Sequence, residues 1–148
     1  NLERIDLGLN QLDFISQAGY LDTTVQSENT EQLFALDDSS ASLEDRARSY
    51  LHSNCSGCHR EGSPIGNINL NYRTEFAQTN TCNTQPSFGD LGIANARIIS
   101  PGNADASVLV ARMEHLGEFR MPPLASLIDD QSATSLIRDW INGMNGCD

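Results

Sequence analysis

Positive charge is scarce in this chain. Nine basic residues face twenty acidic ones, a formal charge of −11 over 148 residues, and no Lys/Arg cluster occurs. A phosphate backbone or an anionic membrane surface repels such a chain, so no nucleic-acid partner is expected. The acidity reads first as solubility and second as attraction to a basic partner surface. Long apolar runs are missing too. None approaches the ~20 residues of a membrane span, and the opening NLERIDLGLN has neither the basic start nor the apolar stretch of a signal peptide. A chain that starts at Asn1 reads as processed, or as cut from something longer. Hydrophobic residues still make up 39 % of it, enough for one ordinary core and too many for wholesale disorder.

Along the chain, residues 1–41 read as a polar extension or linker. LNQLDFISQAG within it carries Leu9, Leu12 and Ile15 at helical spacing and Gly19 as a stop. The remainder, 42–148, reads as one domain. SLEDRARSYLHSN, 42–54, predicts a helix capped by Ser42, with Asp45 at the fourth place of a capping-box-like pattern. Leu43, Ala47, Tyr50 and Leu51 share one face of it. Residues 60–104 are rich in Gly, Asn, Thr and Pro and read as a long loop. Two short strands are expected in it: Ile68, Leu70 and Tyr72 alternating with polar residues, and ARIIS at 96–100. DASVLVARMEHL, 105–116, predicts a helix capped by Asp105 and ended by Gly117, with Leu109, Met113 and Leu116 on one side. Pro122 and Pro123 then forbid a helix. The last helix is announced by Asp129 or Asp130 and by the stripe Ala133, Leu136, Ile137, Trp140, Ile141 and Met144.

Only four cysteines occur, and two of them stand three apart with a histidine behind: Cys55-Ser56-Gly57-Cys58-His59. This is C-x-x-C-H, the attachment signature of c-type haem. Two thiols one helical turn apart can reach two vinyl groups of one porphyrin, and the next residue then offers its imidazole to the iron. Ser56 and Gly57 are small enough to let the macrocycle approach. A thioredoxin-like redox pair would need a βαβ context, and a zinc site would need a second ligand cluster. Both are missing from the pattern. Met/His ligation is usual in electron-transfer haem proteins. Met144 and Met113 lie on apolar helix faces and read as core, whereas Met121 stands in a loop stiffened by two prolines and is the expected distal ligand. His52, one turn before Cys55, and His115 are its rivals. Cys82 and Cys147 are left over. In the oxidising compartments where haem c is attached they would pair, tying the long loop to the C-terminus; the alternative is two free thiols. Such a bond closes a loop of about 65 residues, worth roughly 4 kcal/mol in the chain-entropy picture.

These features together resemble class I cytochromes c: helix, CSGCH, middle helix, Met-Pro loop, final amphipathic helix. Within that class the chain is similar to a haem domain found at the C-terminal end of larger bacterial secreted oxidoreductases, which carry a quinoprotein sugar-dehydrogenase-like propeller upstream. SLEDRARSYLHSNCSGCH, ARIISPGNADASVLVARM, FRMPPL and LIRDWINGMNGC carry the resemblance. It implies a mostly α fold, helices packed around one covalent haem, and a long loop with one or two short strands. It implies thioethers at Cys55 and Cys58, His59 and Met121 as axial ligands, and a Cys82–Cys147 bridge. Leu51 and Trp140 would lie near the crossing of the first and last core helices. The expected function is one-electron transfer in the periplasm or outside the cell. The expected partners are a quinoprotein dehydrogenase, an extracellular copper oxidase or a terminal electron carrier, and catalysis resides in a partner or a fused domain. Two rivals remain: a haem enzyme or gas sensor with an open distal site, and a zinc-stapled interaction module. Arg73, Arg97, Arg112 and Arg120 are the candidates to meet the haem propionates.

Overall fold

The computed structural model describes residues 3–4, 9–21, 31–65, 67–124 and 126–147. The polar TTVQSENTEQ stretch lies largely outside them. The chain divides into two compact units, 1–33 and 34–148. In the first, strands β1 (Glu3–Arg4) and β2 (Leu9–Asn10) pair antiparallel, Glu3 opposite Asn10. Helix α1 (Gln11–Gln17) follows directly, because the Asn10 side chain accepts from the Leu12 amide at 2.9 Å and supplies the missing cap. Gly19, at φ +75°, adopts the left-handed backbone that ends it.

The larger unit begins at Phe34, eight residues before the boundary expected at 42. The reason is packing. The Phe34 amide donates to Ser49 Oγ, Arg46 donates to the Leu36 carbonyl, and the Leu36 side chain lies against the core. Helix α2 (Leu43–Cys55) is held at its start by Ser42, whose Oγ accepts from the Asp45 amide at 3.0 Å and donates to the Asp45 carboxylate at 2.7 Å. Its inner face buries Ala47, Ser49 and Leu51. Helix α3 (Val108–Glu114) buries Val108 and Val110, and α4 (Gln131–Gly143) buries all but the last member of the predicted stripe. Both α2 and α3 pack on α4. Leu51 and Trp140 fall in the same core cluster, with the Phe76 ring edge-on to Trp140 at 5.4 Å. Regular structure among the described residues is therefore almost wholly helical.

Three local expectations are corrected. The alternation at 68–72 does bury Leu70, but no strand forms there. The Asn69 side chain accepts from the Asn71 amide and the Asn71 side chain from the Arg73 amide, each at 3.0 Å, and these two Asx turns curl the chain out of the extended state. ARIIS likewise forms no strand and does not pair with 68–72. It makes two isolated parallel bridges, Cys82 with Ile99 and Arg97 with Ser107. The third helix starts later than predicted. Asn103, rather than Asp105, caps a short 3-10 turn over Ala104–Ala106 that leads into it, and Asp105 instead accepts from Arg138. That helix also ends at Glu114, before Gly117, and Leu116 is half exposed.

Among the described residues no helix is long and apolar enough to cross a membrane. Cys82 and Cys147 form a disulfide, with Cα atoms 5.7 Å apart across a sequence separation of 65. The long loop is thus joined to the segment that follows α4.

Candidate functional site

The cysteine motif sits where α2 runs out. The helical turn continues past Cys55: the amides of Cys58 and His59 both donate to the Cys55 carbonyl, at 3.1 and 2.8 Å. This keeps Cys55, Cys58 and His59 within one turn. Downstream, the Leu70 amide donates to the His59 carbonyl at 2.8 Å, so the loop at 68–70 is fastened to the motif itself. Arg48 reinforces that fastening from α2 by donating to the carbonyls of Tyr72 and Thr74.

An apolar cavity opens beside the motif. Its walls come from four places: Leu51, Cys55 and His59 at and just past the end of α2; Ile65, Asn67, Ile68 and Leu70 behind it; Asn80, Thr84, Pro86, Ser87, Phe88 and Ile98 in the long loop; and Val108, Leu109, Arg112 and Met113 on α3, with Met121. The space within the walls is about 200 Å³, below the ~300–1,000 Å³ usual for a ligand pocket, and the mouth is open to solvent. Most of the lining is hydrocarbon. Water inside it is poorly solvated, so a large flat apolar ligand gains by replacing that water.

Three of the four residues singled out for the haem, Cys55, His59 and Met121, line this one cavity. They are 66 residues apart at the extremes, and only the folded chain brings them together. Cys58 is exposed and does not line it. Met121 is placed by its backbone: its amide donates to the Arg112 carbonyl at 2.8 Å, which anchors the Met-Pro loop to α3. The peptide bond from Met121 to Pro122 is cis.

The electrostatics of the two donors differ. Burial pushes the Cys55 thiol up to about 11, with the neighbouring Cys58 adding to the shift, so the thiol is neutral near neutral pH. Burial also holds His59 below the ordinary imidazole range, against a smaller opposing pull from the Ile65 backbone. Its Nδ1 is buried and has no hydrogen-bond partner of ordinary geometry. A neutral, half-buried imidazole is the form that ligates iron.

His52 and His115 do not line the cavity. His52 Nδ1 accepts from the Tyr72 amide at 3.2 Å, and the His115 ring stacks on Phe119. Met144 packs against the core away from the site, as its helix face predicted. Met113 differs from expectation. It touches the core but also lines the cavity, a second thioether that was read as core alone. The spacing of Leu109, Arg112 and Met113 at i, i+3 and i+4 was the available signal, since one helix face carries all three. Of the arginines considered for propionates, Arg112 alone lines the cavity; Arg73 flanks a separate polar cleft with Arg60. Among the described residues no three His, Cys, Asp or Glu side chains are grouped as ligands for a bare metal ion.

Compared with protein-family models, with curated proteins and with solved structures, the chain matches none.

Proposed function

We propose that this chain is a class I cytochrome c domain that carries one covalent haem c and transfers single electrons. The observation that carries the reading is the convergence of Cys55, His59 and Met121 on one open, apolar cavity. Haem c supplies a single iron that changes between ferric and ferrous without gaining or losing a ligand. The protein's own residues do the rest. The thiols of Cys55 and Cys58 hold the porphyrin by thioether bonds. His59 offers a neutral imidazole, kept neutral by burial. Met121 offers a thioether, a soft donor that favours the ferrous form and raises the potential. Leu51, Ile68, Leu70, Ile98 and Leu109 exclude water from the rest of the cavity.

The chain itself performs no catalysis on this reading. Its donor is a quinoprotein dehydrogenase or another oxidoreductase, and its acceptor a terminal electron carrier or an extracellular copper oxidase. Location in the periplasm or outside the cell is supported by the Cys82–Cys147 bond, because such bonds persist in oxidising compartments.

Denaturing mass spectrometry of material matured with haem is the first test, and one covalently held porphyrin is expected. The ferric spectrum is the second. A sulfur-to-iron charge-transfer band at its red edge is expected in the wild type, retained in Met113→Ala and lost in Met121→Ala. A colourless zinc protein would overturn the reading entirely. Ready carbon monoxide binding to the ferrous wild type would replace it with an open-site haem enzyme or gas sensor.

A further inference from the structure

Two irregular segments at the cavity, the loop at 86–88 and the loop at 117–121, share an attachment point. Arg112 on α3 reaches both. Its guanidinium donates to the Phe88 carbonyl at 2.5 Å and to the Phe119 carbonyl at 3.3 Å, while its own carbonyl accepts from the Met121 amide at 2.8 Å. The planar fork of an arginine suits this task, since separate N–H groups can serve two acceptors at once. Neither loop belongs to a helix or strand that would otherwise fix it. The side chain of Phe88 is largely exposed, so packing does little to hold its loop.

We infer that Arg112 is a positioning residue: it clasps the two loops across the cavity and thereby keeps the Met121 thioether on the iron. This rests on the proposed haem reading and adds a role that the reading does not need. A guanidinium already shared by two carbonyls is poorly placed to be chiefly a propionate partner, which is the competing use of a cavity-lining arginine. Without the clasp, the attachments left to the Met121 loop among the described residues are its backbone bond to α3 and the stacking of Phe119 on His115. The thioether then leaves the iron more often, and an outside ligand competes more easily.

The test is a titration of the ferric, haem-loaded protein with imidazole, following loss of the sulfur-to-iron band. Two hydrogen bonds at the site's edge set the expected size: half-displacement in Arg112→Ala at about tenfold lower imidazole than in the wild type. Arg112→Lys, which can still serve one carbonyl, should recover part of that change. Arg138→Ala is the control for general weakening of α3. It removes the ion pairs to Asp105 and Glu114 on the same helical region without touching the cavity, and its titration should match the wild type. Far-ultraviolet circular dichroism and denaturing mass establish that each variant is folded and carries its porphyrin. Equal midpoints in wild type and Arg112→Ala would overturn the inference and leave the haem reading standing. A midpoint lowered equally in Arg138→Ala would also overturn it, since mere destabilisation would then suffice. A wild type without the band would overturn the haem reading instead.

Discussion

Removing the disulfide is the sharpest perturbation of this fold, and its size can be worked out in advance. Cys82 lies in the long loop between two cavity-lining residues, Asn80 and Thr84, and Cys147 lies four residues past the end of α4. The bond therefore joins a wall of the site to the segment leaving the core. It spans 65 residues, and the chain-entropy relation assigns such a loop about 4 kcal/mol at room temperature. The backbone contacts around Cys82 do not depend on the sulfur, although the Asn83 side chain also donates to Cys147 Sγ at 3.4 Å. The Asn83 amide donates to the Ile99 carbonyl at 2.9 Å, the Ile99 amide to Thr81 at 3.0 Å and the Ile98 amide to Thr84 at 2.8 Å. The folded state of a Cys82→Ser/Cys147→Ser double variant should thus stay much as it is, and the loss should come from the unfolded state. Urea unfolding of the haem-loaded protein, followed by circular dichroism, measures it. With a slope of about 2 kcal/mol per molar urea, the midpoint should fall by about 2 M. A fall below about 0.5 M, with an unchanged slope, would refute the reasoning. It would mean that the unfolded chain already holds residues 82 and 147 near one another without the bond.

Two further outcomes follow from the core and from a charged cap. Ile137 is fully buried in α4 among residues of α2 and α3, so Ile137→Ala should cost about 2–5 kcal/mol; urea unfolding at constant slope checks it, and a loss under about 1 kcal/mol would show that the neighbours collapse into the gap. Asp45 is held below the usual carboxylate range, first by the Ser42 hydroxyl and next by the Tyr72 hydroxyl at 2.8 Å. A depressed carboxyl stabilises the fold above its unfolded value of about 4, and that contribution disappears as pH falls through the folded value. The stability gap between wild type and Asp45→Asn should therefore be present at about pH 7 and shrink towards about pH 3; a gap of constant size would rule out the ionised carboxyl as its source.

The helices were legible because each carries its own local instructions. Ser42 and Asp130 cap from within a few residues, the stripe from Ala133 to Ile141 states which face is buried, and the paired prolines end any helix at Met121. The strands were not legible, because alternation records burial and not pairing. Leu70 is buried as the period of two requires, yet the Asn69 and Asn71 side chains take the amides that a ladder would have used. The start of α3 was misread for a related reason: Asn103 and Asp105 are both able to cap, and only the engagement of Asp105 with Arg138, 33 residues away, separates them.

Sequence alone determined what depends on neighbours along the chain. That covers the starts of α2 and α4, the turn that sets Cys55, Cys58 and His59 together, and the stiff loop around Met121. Tertiary structure alone decided what depends on approach through space. It placed Met121 and Met113 in the walls of the cavity that His59 also lines, withdrew His52 and His115, joined Cys82 to Cys147, and gave Arg112 two loops to hold. Local signals act over a few residues because caps and helical turns are short. A cavity built from four distant segments exists only once the core has brought those segments together.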